Sequence, residues 1–187
     1  LRVVSIADPA NPVEVGFYDT QGYAMGVAVS GSYAYVADEW NGLQVINIAD
    51  PAHPFWGGIY YTPGYAYGVA VPGSYAYVAG ENAGLRVLDI ADPTNPSEDG
   101  FYDTPGYAYA VEVQGGYAYV ADFDYGLRVV SIVDPAHPAE VGFYDTLGPA
   151  RSVALSGDYA LVADFEYGLR VIDISAPADP VEVGHVD

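Results

Sequence analysis

Apolar residues come along this chain in short runs, each closed by a cluster of glycine, proline, aspartate or serine. The first four runs are Leu1–Ile6, Val13–Tyr18, Ala24–Val29 and Tyr33–Ala37. They are rich in Val, Ile, Tyr and small residues, which suit a pleated and half-buried surface. None has the length or the 3.6-residue period of an amphipathic helix. The pattern therefore predicts strands and turns only.

The pattern then repeats. Leu1, Leu43, Leu85, Leu127 and Leu169 stand 42 residues apart and open the segments LRVVSI, LQVINI, LRVLDI, LRVVSI and LRVIDI. Each leads into a proline-bounded turn, ADPANP, ADPAHP, ADPTNP, VDPAHP or SAPADP. YAYVAD-type segments return at Tyr33, Tyr75, Tyr117 and Tyr159, and GFYDT at Gly16, Gly100 and Gly142. The copies are 1–42, 43–84, 85–126 and 127–168, with a partial copy over 169–187, all in one domain. Ser30-Gly31-Ser32 and its counterparts are tight hairpin turns, where glycine permits positive φ. The Asp-Pro turns are stiff, because proline fixes φ and restricts the residue before it.

Four short strands in one copy match a propeller blade, which usually takes about 40–50 residues. The predicted fold is all-β, a β-propeller of four-stranded antiparallel blades. Ala24–Val29 is the innermost strand, since its small residues suit crowding near an axis. A parallel β-solenoid is the alternative. The chain opens on the third strand of a blade, so it holds four full blades plus an outer half-blade. It reads as a segment of a larger ring, or as a ring closed irregularly.

The GLRVVSIADPANP-type segment resembles the LVIVD repeat of bacterial and archaeal cell-surface proteins, and the resemblance covers the whole chain. It implies a propeller and an extracellular or cell-surface place. It brings no catalytic residues with it. The fifth copy departs from the pattern, with Ala176 in place of the Asp-Pro aspartate.

Charge narrows the partners. The chain has 25 acidic residues and five arginines, with no lysine, for a formal net charge of −20. Such a surface repels nucleic-acid phosphates and anionic headgroups. No apolar run reaches the roughly 18–20 residues of a membrane span. Neither nucleic acid nor membrane insertion is expected. Cysteine is absent, so thiol chemistry, disulfides and zinc-thiolate sites are excluded.

Candidate chemistry gathers on one face. The turns DEWNG, GENAG, DFDYG and DFEYG share an end with the loops YDTQGY, YYTPGY, YDTPGY and YDTLGP. Trp40, Phe123, Tyr125, Phe165 and Tyr167 stand there beside Asp38, Glu39, Asp122, Asp124, Asp164 and Glu166. Aromatic faces beside carboxylates suit a basic partner through cation–π contacts and ion pairs. The same mixture suits sugar rings, with the acids accepting hydroxyl hydrogen bonds. The binding set is therefore Trp40, Phe123, Tyr125, Phe165, Tyr167, Asp38, Asp122 and Asp164. A protein partner or self-association is the first expectation, and glycans the alternative.

The aspartates of this set recur with the blade and could ring an axis around calcium. No EF-hand-type loop is present, and solvated turn carboxylates are the simpler expectation. No cofactor is expected. Asp8, Asp50, Asp92 and Asp134 read as turn-capping residues. Arg128 and Arg170 lie six residues after Asp122 and Asp164, across a hairpin, as in an ion pair. His53, His137 and His185 do not converge by any pattern, and no nucleophile elbow, phosphate loop or dinucleotide fingerprint is present. An enzyme is not expected.

Overall fold

The computed structural model describes all residues, 1–187. Its strands lie where runs of Val, Tyr and Ala meet glycine turns. Strand β1 (Arg2–Ser5) pairs with β2 (Val13–Phe17) as a two-stranded sheet. The first four-stranded blade is β3 (Gly26–Ser30), β4 (Tyr33–Ala37), β5 (Leu43–Asn47) and β6 (Phe55–Tyr60). The second is β7 (Gly68–Ala70), β8 (Tyr75–Ala79), β9 (Leu85–Asp89) and β10 (Ser97–Tyr102). The third is β11 (Ala110–Gln114), β12 (Tyr117–Ala121), β13 (Leu127–Ser131) and β14 (Ala139–Tyr144). The fourth is β15 (Ser152–Ser156), β16 (Tyr159–Ala163), β17 (Leu169–Asp173) and β18 (Val181–Val186).

All pairings are antiparallel between sequence neighbours, which rules out the parallel solenoid. Neighbouring blades meet through β3, β7, β11 and β15 in turn, so these are the inner strands of a propeller-like arc. The innermost strand begins two residues later than its sequence pattern predicts. The reason is local: the residues before it join the neighbouring blade. Glu39 and Ala66 exchange two backbone hydrogen bonds of 3.1 and 3.0 Å, as do Glu81 with Ala108 and Phe123 with Ala150. These turn residues sit at positive φ, 50° at Glu39, 53° at Glu81 and 48° at Phe123, although none is glycine. Two interblade hydrogen bonds at each junction offset that strain.

The core lies between blades. Tyr35, Ala37, Leu43 and Val45 of the first blade pack against Ala66, Ala76, Val78 and Leu88 of the second. Equivalent clusters join the second blade to the third and the third to the fourth. The half-blade β1–β2 covers the other face of the first blade, with Leu1 and Tyr18 against Ala34, Val36 and Ile46. No helix is long and apolar enough to cross a membrane.

The Asp-Pro aspartates act as expected. Asp8, Asp50, Asp92 and Asp134 each accept a hydrogen bond from the backbone N–H two residues on, at 3.0–3.2 Å. Side-chain donors from Asn11, His53, Thr94 and His137, helped by those backbone bonds, hold the four carboxyls below the ordinary aspartate range.

Candidate functional site

The turns after each second strand and the blade-to-blade loops lie at one end of the arc, the tip face. Every sequence-picked aromatic is there. Trp40 is 49% exposed, Tyr125 45%, Phe165 58% and Tyr167 43%, while Phe123 is half-buried. Trp40 meets Tyr23 edge to face at 5.0 Å, and Phe123 meets Tyr107 at 6.2 Å.

Two grooves cut this face, and they are one repeat apart. The first is lined by Trp40, Thr62, Pro63, Gly64, Tyr65 and Glu81, with a volume of about 340 Å³. The second is lined by Asn82, Thr104, Pro105, Gly106, Tyr107 and Phe123, with a volume of about 370 Å³. Each pairs a Thr-Pro-Gly-Tyr loop with the tip turns of two blades. At the third junction Leu147 and Pro149 stand where proline and tyrosine stood, and the loop presents no ring there.

The aspartates of the expected binding set are not on this surface. Asp38, Asp122 and Asp164 are 0% exposed. Each turns inward because the adjoining loop offers an otherwise unpaired backbone N–H. Asp38 accepts from Gly22 at 2.9 Å, Asp122 from Gly106 at 2.8 Å and Asp164 from Gly148 at 3.0 Å. Thr104 adds a hydroxyl donor to Asp122 at 2.6 Å. Burial pushes the Asp122 carboxyl up, opposed by Thr104, Gly106 and Arg128. These carboxylates are neither solvated tips nor free ligands, which corrects both expectations for them. Nor do they form a calcium ring, and no three His, Cys, Asp or Glu side chains are grouped to hold a metal ion. The acids open to solvent on the tips are Asp124 and Glu166.

The recurring arginines complete these buried clusters. Arg170 Nε donates to Asp164 at 3.2 Å, and Arg128 Nε lies 4.0 Å from Asp122. The outer ends of Arg86, Arg128 and Arg170 reach Asp103, Asp145 and Asp187 at 3.2, 2.8 and 3.4 Å. The first two blades each lack one partner. Gln44 replaces arginine in the first, and one Asp38 oxygen is buried without a partner. Gly80 replaces aspartate in the second, and Arg86 Nε is buried without a hydrogen-bond partner, as is Arg128 Nε in the third, where Asp122 stands 4.0 Å away.

Near the axis lies a group that sequence reasoning missed. Arg151 packs over three rings, 5.3 Å from Tyr109, 5.3 Å from Phe123 and 4.8 Å from Phe165. Tyr109 in turn stacks on Tyr67 at 4.8 Å. The available signal was that Arg151 alone among the arginines stands off the common position and shares one with Met25, Tyr67 and Tyr109.

Comparisons agree with the repeat. The LVIVD repeat family matches residues 1–20, 21–62, 63–104, 105–146 and 147–187. No curated protein matches the chain. Among solved structures, the computationally designed protein Ika8 is similar with a TM-score of 0.74 at 11% identity. That match covers 93% of this chain, which spans about half (52%) of Ika8. The computationally designed Ika4 is similar with a TM-score of 0.68 at 8% identity, over 83% of this chain and 94% of that one. At such identities the likeness concerns the fold alone.

Proposed function

The chain belongs to the LVIVD repeat family, and from that premise we propose that it is a non-enzymatic, extracellular scaffold that holds a protein partner on its tip face. The observation that carries this reading is the recurrence of one groove at two consecutive blade junctions, each flanked by exposed rings. A repeated shallow site on a rigid arc suits an extended partner, which gains by avidity what each groove lacks alone. The net charge of −20 favours a partner with basic side chains, which stack on Trp40, Tyr125 and Tyr167. The placement outside the cell rests on the family resemblance.

Changing Trp40, Tyr125 and Tyr167 together to serine tests the reading. All three are exposed, so the fold is expected to survive, as circular dichroism would register. Capture of the partner in pull-downs is expected to be lost. Undiminished capture by the folded variant would rule out the tip face.

A second reading, a lectin with one sugar site per junction, draws on the same grooves. Their Thr-Pro-Gly-Tyr loops offer a ring and hydroxyl groups to a pyranose. A glycan array run with calcium and with chelator separates the two. Binding to one sugar class favours the lectin, and a blank array under both conditions favours the protein scaffold.

A further inference from the structure

The first blade has lost a guanidinium that the other three keep. Arg86, Arg128 and Arg170 occupy one place at the start of the third strand and are 8%, 5% and 3% exposed. Two of them stand over an outer-strand ring, 4.5 Å from the centre of Phe101 and 4.6 Å from that of Phe143. In the first blade the set is replaced as a whole. Gln44 stands for the arginine, Ile59 for the phenylalanine, Tyr61 for the outer-loop aspartate, and Trp56 for the outer-strand glutamate (Glu98, Glu140 or Glu182) that lies 3.7–3.9 Å from the arginine in the other blades. The inner aspartate alone is kept, as Asp38, and its Oδ1 is buried with no partner.

The missing side chain leaves room. A cavity of about 140 Å³ is lined by Tyr18, Thr20, Asn41, Gln44, Trp56 and Tyr61, among others. Gln44 donates its amide N–H to the Asn41 carbonyl at 3.4 Å, which leaves its own carbonyl oxygen to accept. Trp56 and Tyr61, 52% and 67% exposed, offer ring faces at the edge.

We propose that this cavity receives the guanidinium of an arginine side chain from a basic peptide. The chain's own blades define the occupant. A guanidinium at this place in the third and fourth blades lies 4.0 and 3.2 Å from the equivalent buried aspartate. In the first blade Asp38 has no cationic partner: its Oδ2 accepts from Gly22 and from Asn41, which lines the cavity, and its Oδ1 accepts nothing. A planar, weakly hydrated cation can stack on Trp56 or Tyr61 while its N–H edge meets Gln44. A lysine ammonium is more strongly hydrated and cannot stack in the same way. The identification of the occupant as part of a peptide rests on the tip-face reading, whereas the affinity for guanidinium does not.

Trp56 is one of two tryptophans, so a Trp40→Phe background makes it the sole reporter of this cavity. Acetyl-arginine amide is expected to change Trp56 emission saturably, in roughly the millimolar range for a single contact group. Acetyl-lysine amide is expected to bind about tenfold more weakly, and acetyl-norleucine amide not at all. Gln44→Arg fills the site from within, so it is expected to abolish the response and to raise the melting temperature. Asp38→Asn is expected to weaken binding; if that variant does not fold, Gln44→Arg decides alone. No saturable response, an equal response to the norleucine amide, or undiminished binding to Gln44→Arg would each overturn the proposal. The two readings fail separately. The triple serine variant keeps this cavity and is expected to bind acetyl-arginine amide still, even where it no longer captures a partner.

Discussion

At the scale of single residues, the four blades form a natural double-mutant series in one buried cluster. The third and fourth blades have both aspartate and arginine, the first only the aspartate, and the second only the arginine. Removing one member of a buried pair strands the other, at a cost of about 3–5 kcal/mol. Asp122→Ala frees the Gly106 N–H and the Thr104 hydroxyl and takes from Arg128 its buried partner at 4.0 Å, but Arg128 keeps Asp145 at 2.8 Å, so the loss falls below that range. Asp38→Ala strands only the N–H groups it accepts from, at a cost of about 1–3 kcal/mol. Urea denaturation is therefore expected to find Asp122→Ala the more destabilising by roughly 1 kcal/mol; an equal loss would mean that neither the Thr104 bond nor the arginine pairing contributes. The pairing itself was legible in the six-residue spacing of Asp122 with Arg128. The burial was not. An aspartate in a DFDYG turn reads as a solvated tip, because nothing in its own sequence says that a glycine N–H sixteen residues away will turn inward to meet it.

At the scale of elements, each outer strand is a seat for the next blade. A Cβ on Gly100 would lie 2.3 Å from the Pro135 carbonyl, and one on Gly142 the same distance from that of Pro177. The Asp-Pro turn of one blade thus rests on the glycine of the blade before. Gly184 occupies the same repeat position with nothing within 4 Å of its Cβ site. Gly142→Ala is expected to cost about 1–3 kcal/mol, and Gly184→Ala close to nothing, as calorimetry would register. Equal effects would show the close approach to be unimportant. The strands, their order and the turns were legible from the 42-residue period. This seating was not, because it joins residues of two copies that the sequence pattern treats separately. The same strands are also clasped by phenols. Tyr60, Tyr102 and Tyr144 donate to Glu98, Glu140 and Glu182 of the following outer strand, at 3.1, 3.3 and 2.9 Å. Burial first, then the Glu98 charge and hydrogen bond, push the Tyr60 phenol up to about 12 from an ordinary 10. The unfolded chain loses that proton near pH 10 and the folded chain near 12. The contribution is thus complete below pH 10 and lost as pH rises towards 12. Unfolding at rising pH is expected to coincide with late phenolate absorbance. Tyrosine titration finished near pH 10 in a folded chain would contradict the clasp.

At the scale of the whole molecule, one surface appears four times and is covered three times. Leu43, Leu85 and Leu127 are 0% exposed beneath the next blade, whereas Leu169 is 39% exposed. Tyr35, Tyr77 and Tyr119 are buried, and Leu161 at the same position is only half-buried. The backbone shows the same difference. Glu39, Glu81 and Phe123 each pair with an alanine of the following blade, and Phe165 at the same position, with φ 40°, has no such partner. The one kind of surface seen to cover this face is another blade of the same repeat. A second copy of these 187 residues can supply one. Concentration-dependent self-association through the fourth blade is therefore expected, with light scattering as the measure. Like charge of −20 on each copy opposes it, so association is expected to strengthen as salt shortens the screening length from about 30 Å at 0.01 M to about 10 Å at 0.1 M. Leu161→Asp together with Leu169→Asp places charge on the open face without disturbing any of the three covered ones. That variant is expected to remain folded and monomeric at concentrations where the parent associates. A parent chain that stays monomeric at high salt would show that the open face, although apolar, is too small or too polar at its rim to hold a second copy.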